Sequence, residues 1–172
     1  HAGMIKSTYG TGCFMLASSG NKIVRSQSGL LSTVACRTSA ERQFAVEGSI
    51  FIAGAVSQWL RDELHIIEDA AETESLAASV SSNEGVYVVP AFTGLGAPHW
   101  DSTARGAIFG LTRNTGRAVL TRAAIEAVAY QTNDLVASLI SDGLSVDAIR
   151  VDGGMVANNW FTQFLSDIIN LN

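Results

Sequence analysis

The sequence predicts an α/β domain, a mixed sheet flanked by helices, on three observations. Its first third breaks into short apolar runs separated by turn residues. Strand and helix patterns alternate after that. Two glycine-centred corners, far apart in the chain, each stand beside an apolar strand. Strands first and β-α alternation afterwards indicate layered α/β packing around one core.

Taken in order, Tyr9 to Leu16 is apolar and glycine-punctuated, and Ser18-Ser19-Gly20-Asn21 is a turn. Lys22 to Arg25 reads as a short strand and Gln27-Ser28-Gly29 as another turn. Leu30 to Cys36 carries β-branched Thr33 and Val34 and reads as the next strand, with Gln43 to Val46 as a fourth. The pattern predicts an antiparallel meander. Ile52, Val56, Trp59, Leu60 and Leu64 then follow helical spacing, with Ser49 as the expected N-cap. Asp69 to Val80 is a second, more polar helix. Val86 to Val89 is a buried strand stopped by Pro90. The loop from Phe92 to Arg105 is long enough to expect a functional role. Gly106 to Leu111 is a short strand, and a long helix runs from Gly116 to Ile140 with Leu120, Ala124, Val128, Leu135 and Leu139 as its stripe. Asp142-Gly143 ends it. Ala148 to Val151 is a buried strand, and a last helix places Trp160, Phe164 and Ile168 on one face.

Composition bounds the function. At 172 residues the length fits one domain, and 47% apolar residues supply its core. A net charge of −5 argues against a nucleic-acid partner. A nucleotide stays possible, because loop and helix-terminal N–H groups bind phosphate without net positive charge. Cys13 and Cys36 form no C-x-x-C pair and read as reduced, partly buried thiols of a cytosolic protein. The apolar stretches are too short for a membrane span, and no signal peptide is expected. With His1 in front and an abrupt stop at Asn172, the chain reads as a piece of something larger.

Three places offer chemistry. Gly10-Thr11-Gly12 presents backbone N–H groups and one hydroxyl, as a phosphate oxygen requires; taken alone, it fits better a tight strand turn or bulge that needs no ligand. Gly54 and Gln58 stand one helical turn apart, so a ribose or ring can lie on Gly54 beside the amide; close helix–sheet packing is the alternative. Asp152-Gly153-Gly154 followed by Asn158 reads as strand, sharp turn and helix start, where ligands of α/β sheets collect. It also fits a plain turn with a capping Asn. His65 and His99 stand alone, and the acidic run Glu68, Asp69, Glu72 and Glu74 reads as a solvated helix face.

These residues together resemble the FGGY carbohydrate kinases. Five stretches carry the resemblance: Ser7 to Phe14, Gln58 to Asp62, Gly85 to Asp101, Ala104 to Gly106 and Arg150 to Asn159. The resemblance implies a ribonuclease H-like, actin-like ATPase fold and phosphoryl transfer from ATP, with glycerol as the favoured acceptor. It implies that Thr11 and Gly12 bind the terminal phosphates, that Gly54 and Gln58 line the ribose and phosphate side, and that Gly154 lies on the adenine with Asn158 beside it. Phe14 would pack on the carbon skeleton of glycerol. The chain would be a partial C-terminal nucleotide-binding domain over 1–172. A missing N-terminal domain would bring the catalytic aspartate and the magnesium site, so no catalytic residue and no metal ligand is expected here. The piece alone is then expected to be inactive. A sugar kinase for xylulose, ribulose or gluconate is the near alternative. A non-catalytic nucleotide-binding module that controls homo-oligomer assembly is the distant one.

Overall fold

The computed structural model describes residues 3–38 and 41–170. Strands β1 (Gly3–Tyr9) and β2 (Cys13–Gly20) form an antiparallel hairpin. Alternation sends Ile5, Ser7 and Tyr9, and Cys13, Met15 and Ala17, into the core. Lys6, Thr8, Phe14 and Leu16 take the other face and are exposed. Strands β3 (Leu31–Thr38) and β4 (Glu41–Ile50) follow.

The sheet order, counting β7 (Val146–Asp152), is β3-β4-β2-β1-β7, with β1 and β7 parallel and the other pairs antiparallel. The expected meander is therefore wrong: β4 inserts between β2 and β3. The segment joining β2 to β3 explains it. Lys22 to Arg25 forms no strand. The segment instead reaches Asp142 at the end of the long helix, which accepts hydrogen bonds from Gln27 N (2.9 Å), Ser28 N (3.1 Å), Ser28 Oγ (3.0 Å) and Ser26 Oγ. Leu30 then plugs into the core, 6% exposed, and β3 returns as the sheet edge.

Helices α1 (Gly54–Asp62), α2 (Glu72–Ala78), α3 (Arg117–Ser141) and α4 (Asn159–Ile169) complete the layers, with a two-stranded ribbon β5 (Tyr87–Val89) and β6 (Ala107–Phe109). The α3 stripe is buried at Ala124, Val128, Leu135 and Leu139, and half-buried at Leu120. Ala123, Ile125, Ala127 and Ala129 are buried too, because α3 is enclosed by the sheet, α2 and α4. On α4 the core face is Phe161, Leu165 and Ile169, one residue on from the expected Trp160, Phe164 and Ile168. One residue is about 100° of helix rotation, and the Asn158 cap sets it by accepting from Phe161 N at 2.8 Å. Phe161 then meets Tyr9 edge-on at 5.2 Å, while Trp160 stacks on Phe164 at 5.1 Å.

A buried carboxylate ties the helices together. Glu126 on α3 is 2% exposed and accepts from Arg122 Nε (2.7 Å), Asn83 Nδ2 (2.8 Å) and Tyr130 OH (3.2 Å). Pairing of this kind is what permits an acid at such depth. Arg122 also lies 5.0 Å over the Trp160 ring, joining α3 to α4. The Phe92–Arg105 loop acts as a strap. Ala97 N bonds Ser49 O at 3.0 Å, and Trp100 Nε1 bonds Gly29 O. Cys13 is buried as expected, but Cys36, on the edge strand β3, is exposed. No described helix is long and apolar enough to cross a membrane.

Candidate functional site

The tip of the β1–β2 hairpin, the start of α1, the start of α2 and the corner after β7 converge on one cavity of about 380 Å³. Backbone bonds build its first half. Gly54 N donates to Gly10 O at 2.9 Å, and Ala53 N and Ala55 N donate to Thr11 O at 2.8 and 3.1 Å. The hairpin carbonyls thus satisfy the first N–H groups of α1, which needs no side-chain cap. Ser49, the expected cap, instead lies inside β4, and the cap position belongs to Ala53. Gly54 accordingly opens the helix rather than interrupting it. A Cβ there would stand 2.6 Å from Gly10 O, so the glycine permits the contact between hairpin and helix.

Within this arrangement the Thr11 hydroxyl and the Thr11 and Gly12 N–H groups have no hydrogen-bond partner among the described residues. Consecutive unpartnered N–H groups at a tight turn make a concave surface suited to an anion. Gly12 itself does not line the cavity. Its ideal Cβ would lie 2.5 Å from Ile50 O and 2.9 Å from Phe51 O, so its bareness serves packing against the end of β4.

Asn158 builds the second half. Its Oδ1 caps α4 and its Nδ2 donates to Thr73 Oγ1 on α2 at 3.0 Å. Beside it Asn159 Nδ2 donates to Glu74 Oε1 at 3.1 Å. These two bonds hold α2 against α4. Gly154 opens a short 3-10 turn, and a Cβ built on it would meet nothing within 4 Å. Gly154 is exposed, and protein packing does not use the space beside it. Asp152 is exposed just before the corner. Lys6 Nζ, 2.5 Å away, holds its carboxyl below the ordinary range, helped by the Thr8 hydroxyl.

Of the residues singled out from sequence, Thr11, Gly54, Gln58, Gly154 and Asn158 line this cavity. Gly12 stands beside it. Phe14 lies outside, 60% exposed on the open sheet face, paired across the strands with Thr8 and Ser49. None of the Phe92–Arg105 loop lines the cavity. Sequence reasoning missed Ser57, Arg61, Thr73 and Glu74, which do. Ser57 and Arg61 stand three and seven residues after Gly54, a helical spacing that was legible. Thr73 and Glu74 were hidden in the acidic helix read as solvated. Glu72 in that helix serves the fold, accepting from Glu68 N (2.6 Å), Asp69 N (3.0 Å) and Arg117 (2.6 Å). Among the described residues no three His, Cys, Asp or Glu side chains gather as metal ligands.

Known proteins resemble this chain along its length. Residues 5–172 match the C-terminal domain of the FGGY family of carbohydrate kinases. A glycerol kinase of Coxiella burnetii is 59% identical over 170 residues, covering 99% of this chain and 34% of that protein. The structure of Plasmodium falciparum glycerol kinase with ADP superposes with a TM-score of 0.90 at 43% identity, covering 97% of this chain and 34% of that one. A ligand-bound xylulose kinase from Lactobacillus acidophilus shares the fold at 23% identity and a TM-score of 0.86, over 99% of this chain and 34% of that one. The chain thus spans about a third of the length of the relatives it matches. It belongs to the FGGY family of carbohydrate kinases and has the ribonuclease H-like, actin-like fold.

Proposed function

We propose that the protein containing this chain transfers the γ-phosphate of ATP to glycerol, giving glycerol 3-phosphate, and that this chain supplies most of the nucleotide half of the site. One observation carries the reading: Thr11, Gly54, Gln58, Gly154 and Asn158, drawn from three separate stretches, line a single cavity. The 59% identity to a glycerol kinase supports glycerol over a pentulose as acceptor.

In this reading the Thr11 hydroxyl and the N–H groups of Thr11 and Gly12 hold the terminal phosphates. Short hydrogen bonds to phosphate oxygens orient the γ-phosphoryl group and neutralise developing charge, which is most of what phosphoryl transfer asks of a protein. Gly54 and Gln58 line the ribose and phosphate side. Gly154 leaves room for the adenine face, with Asn158 at its edge. Phe14, exposed two residues beyond Gly12, packs on the glycerol carbons. The carboxylate that takes the glycerol proton belongs to the part of the parent protein outside this chain. Magnesium would offset phosphate charge, and its ligands are expected from the part of the parent protein outside this chain. Closure of the remaining protein over the cavity would exclude water and limit ATP hydrolysis. The chain by itself is therefore expected to phosphorylate nothing.

A coupled ADP-release assay on the full-length protein tests the reading. Turnover with glycerol and little with xylulose, ribulose or gluconate is expected. Activity confined to one of those sugars would overturn the choice of acceptor.

A further inference from the structure

We infer that Glu74 reads the base of the nucleotide, selecting a 6-aminopurine over a 6-oxopurine. The inference rests on the nucleotide reading above and adds to it the group that sets base identity. Among the described residues lining the cavity, Glu74 is the one carboxylate and Arg61 the one cation. A carboxylate in a polyphosphate site repels its ligand unless it faces a donor. Glu74 belongs to the half of the cavity built by α2 and α4, and the unpartnered phosphate-type donors belong to the half built by the hairpin and α1.

The bonding around it defines what the ligand must offer. Asn159 Nδ2 donates to Glu74 Oε1 at 3.1 Å and fixes the carboxylate, while Oε2 has no hydrogen-bond partner among the described residues. Asn158, the other polar group here, is largely committed. Its Oδ1 caps α4 and one Nδ2 hydrogen goes to Thr73. The remaining Nδ2 hydrogen suits a ring nitrogen acceptor. Ala70, Ala71, Met155 and Gly154 add apolar or bare walls for a flat ring. A ring acceptor meeting Asn158 and an exocyclic amine meeting Glu74 describe a 6-aminopurine edge. A 6-oxo group would set its carbonyl against the carboxylate.

The test uses the full-length kinase and equilibrium binding of ATP, ITP and purine riboside triphosphate, which lacks the 6-amino group. Wild type should bind ATP roughly tenfold or more tightly than either analogue, as a charge-assisted hydrogen bond lost or opposed requires. Glu74→Gln, whose amide both donates and accepts, should shrink the ATP-to-ITP ratio at least fivefold with melting temperature and glycerol KM unchanged. A merely structural Glu74 would leave that ratio alone, because the Gln amide oxygen can still accept from Asn159. An unchanged ratio overturns the inference and points to Asn158 as the reader. If Glu74→Gln does not fold, equal wild-type affinity for ATP and purine riboside triphosphate overturns it equally. A wild-type protein that binds none of the three ends the nucleotide reading as well, whereas tight and indiscriminate binding ends only this inference.

Discussion

Gly54 N and the Gly10 carbonyl oxygen meet at 2.9 Å, so the tip of the β1–β2 hairpin and the start of α1 are joined backbone to backbone. A Cβ at Gly54 would sit 2.6 Å from that same carbonyl, and one at Gly12 would sit 2.5 Å from Ile50 O. Backbone cannot yield as a flexible side chain would. Gly54→Ala and Gly12→Ala should each destabilise the fold by roughly 1–3 kcal/mol, the usual cost of overpacking. Chemical denaturation measures it, and a change below the scatter of the method would show that the hairpin accommodates.

Gly154 should behave in the opposite way. Nothing lies within 4 Å of its ideal Cβ. Gly154→Val is expected to leave stability within about 0.5 kcal/mol, as for surface changes that touch nothing. ATP affinity of the full-length protein should fall at least tenfold by calorimetry. Unchanged affinity would place the base elsewhere.

Thr11→Val removes the unpartnered hydroxyl while keeping the side chain's volume. Loss of one phosphate hydrogen bond should cost roughly 1–3 kcal/mol in ATP interaction or transition-state stabilisation. Steady-state kinetics of the full-length protein would register it in kcat/KM. Identical parameters would return this turn to a purely architectural role.

Asp142 predicts an acid-dependent term. Burial pushes its carboxyl up, but hydrogen bonds from Ser26, Gln27 and Ser28 outweigh that and leave it below the ordinary value. A depressed carboxylate stabilises the fold above its unfolded pKa and loses that contribution as pH falls through the folded one. Asp142→Asn should therefore cost roughly 1–2 kcal/mol at pH 7. The gap from wild type should narrow below about pH 4, where the unfolded carboxyl protonates. Denaturation curves at pH 7 and pH 3 decide, and an equal gap at both would contradict the linkage.

The two thiols should separate cleanly. Burial pushes Cys13 up to about 11, and Ser7 Oγ stands 3.0 Å from its sulfur. Cys36 is exposed. Iodoacetamide at pH 8 should label Cys36 in the native protein and reach Cys13 only on unfolding, because the thiolate is the nucleophile. Peptide mapping reads the order, and equal labelling would mean that the hairpin opens readily. A raised thiol also weakens the fold as pH climbs from the unfolded value near 8.5 toward 11.

Local chemistry made much of this protein readable in sequence. Helices α1 to α4, strands β3 to β7 and the three glycine-bearing stretches follow from periodicity and turn residues, whereas β1 escapes that reading, Lys22 to Arg25 forms no strand, and Ser18 to Gly20, read as a turn, belong to β2. Those signals act over a few residues, so they survive without neighbours. Strand order, the rotation of α4 and the part played by Glu74 and Thr73 do not. Nothing in Lys22 to Arg25 announces that its neighbours will bond Asp142 more than a hundred positions later. The same holds for Asn158 and Asn159, which turn a polar helix into a cavity wall by bonding Thr73 and Glu74. Sequence by itself determined the helices, most of the strands and the bare-backbone corners. Tertiary structure decided which of them face one another, because pairing between distant segments depends on packing that no local pattern encodes.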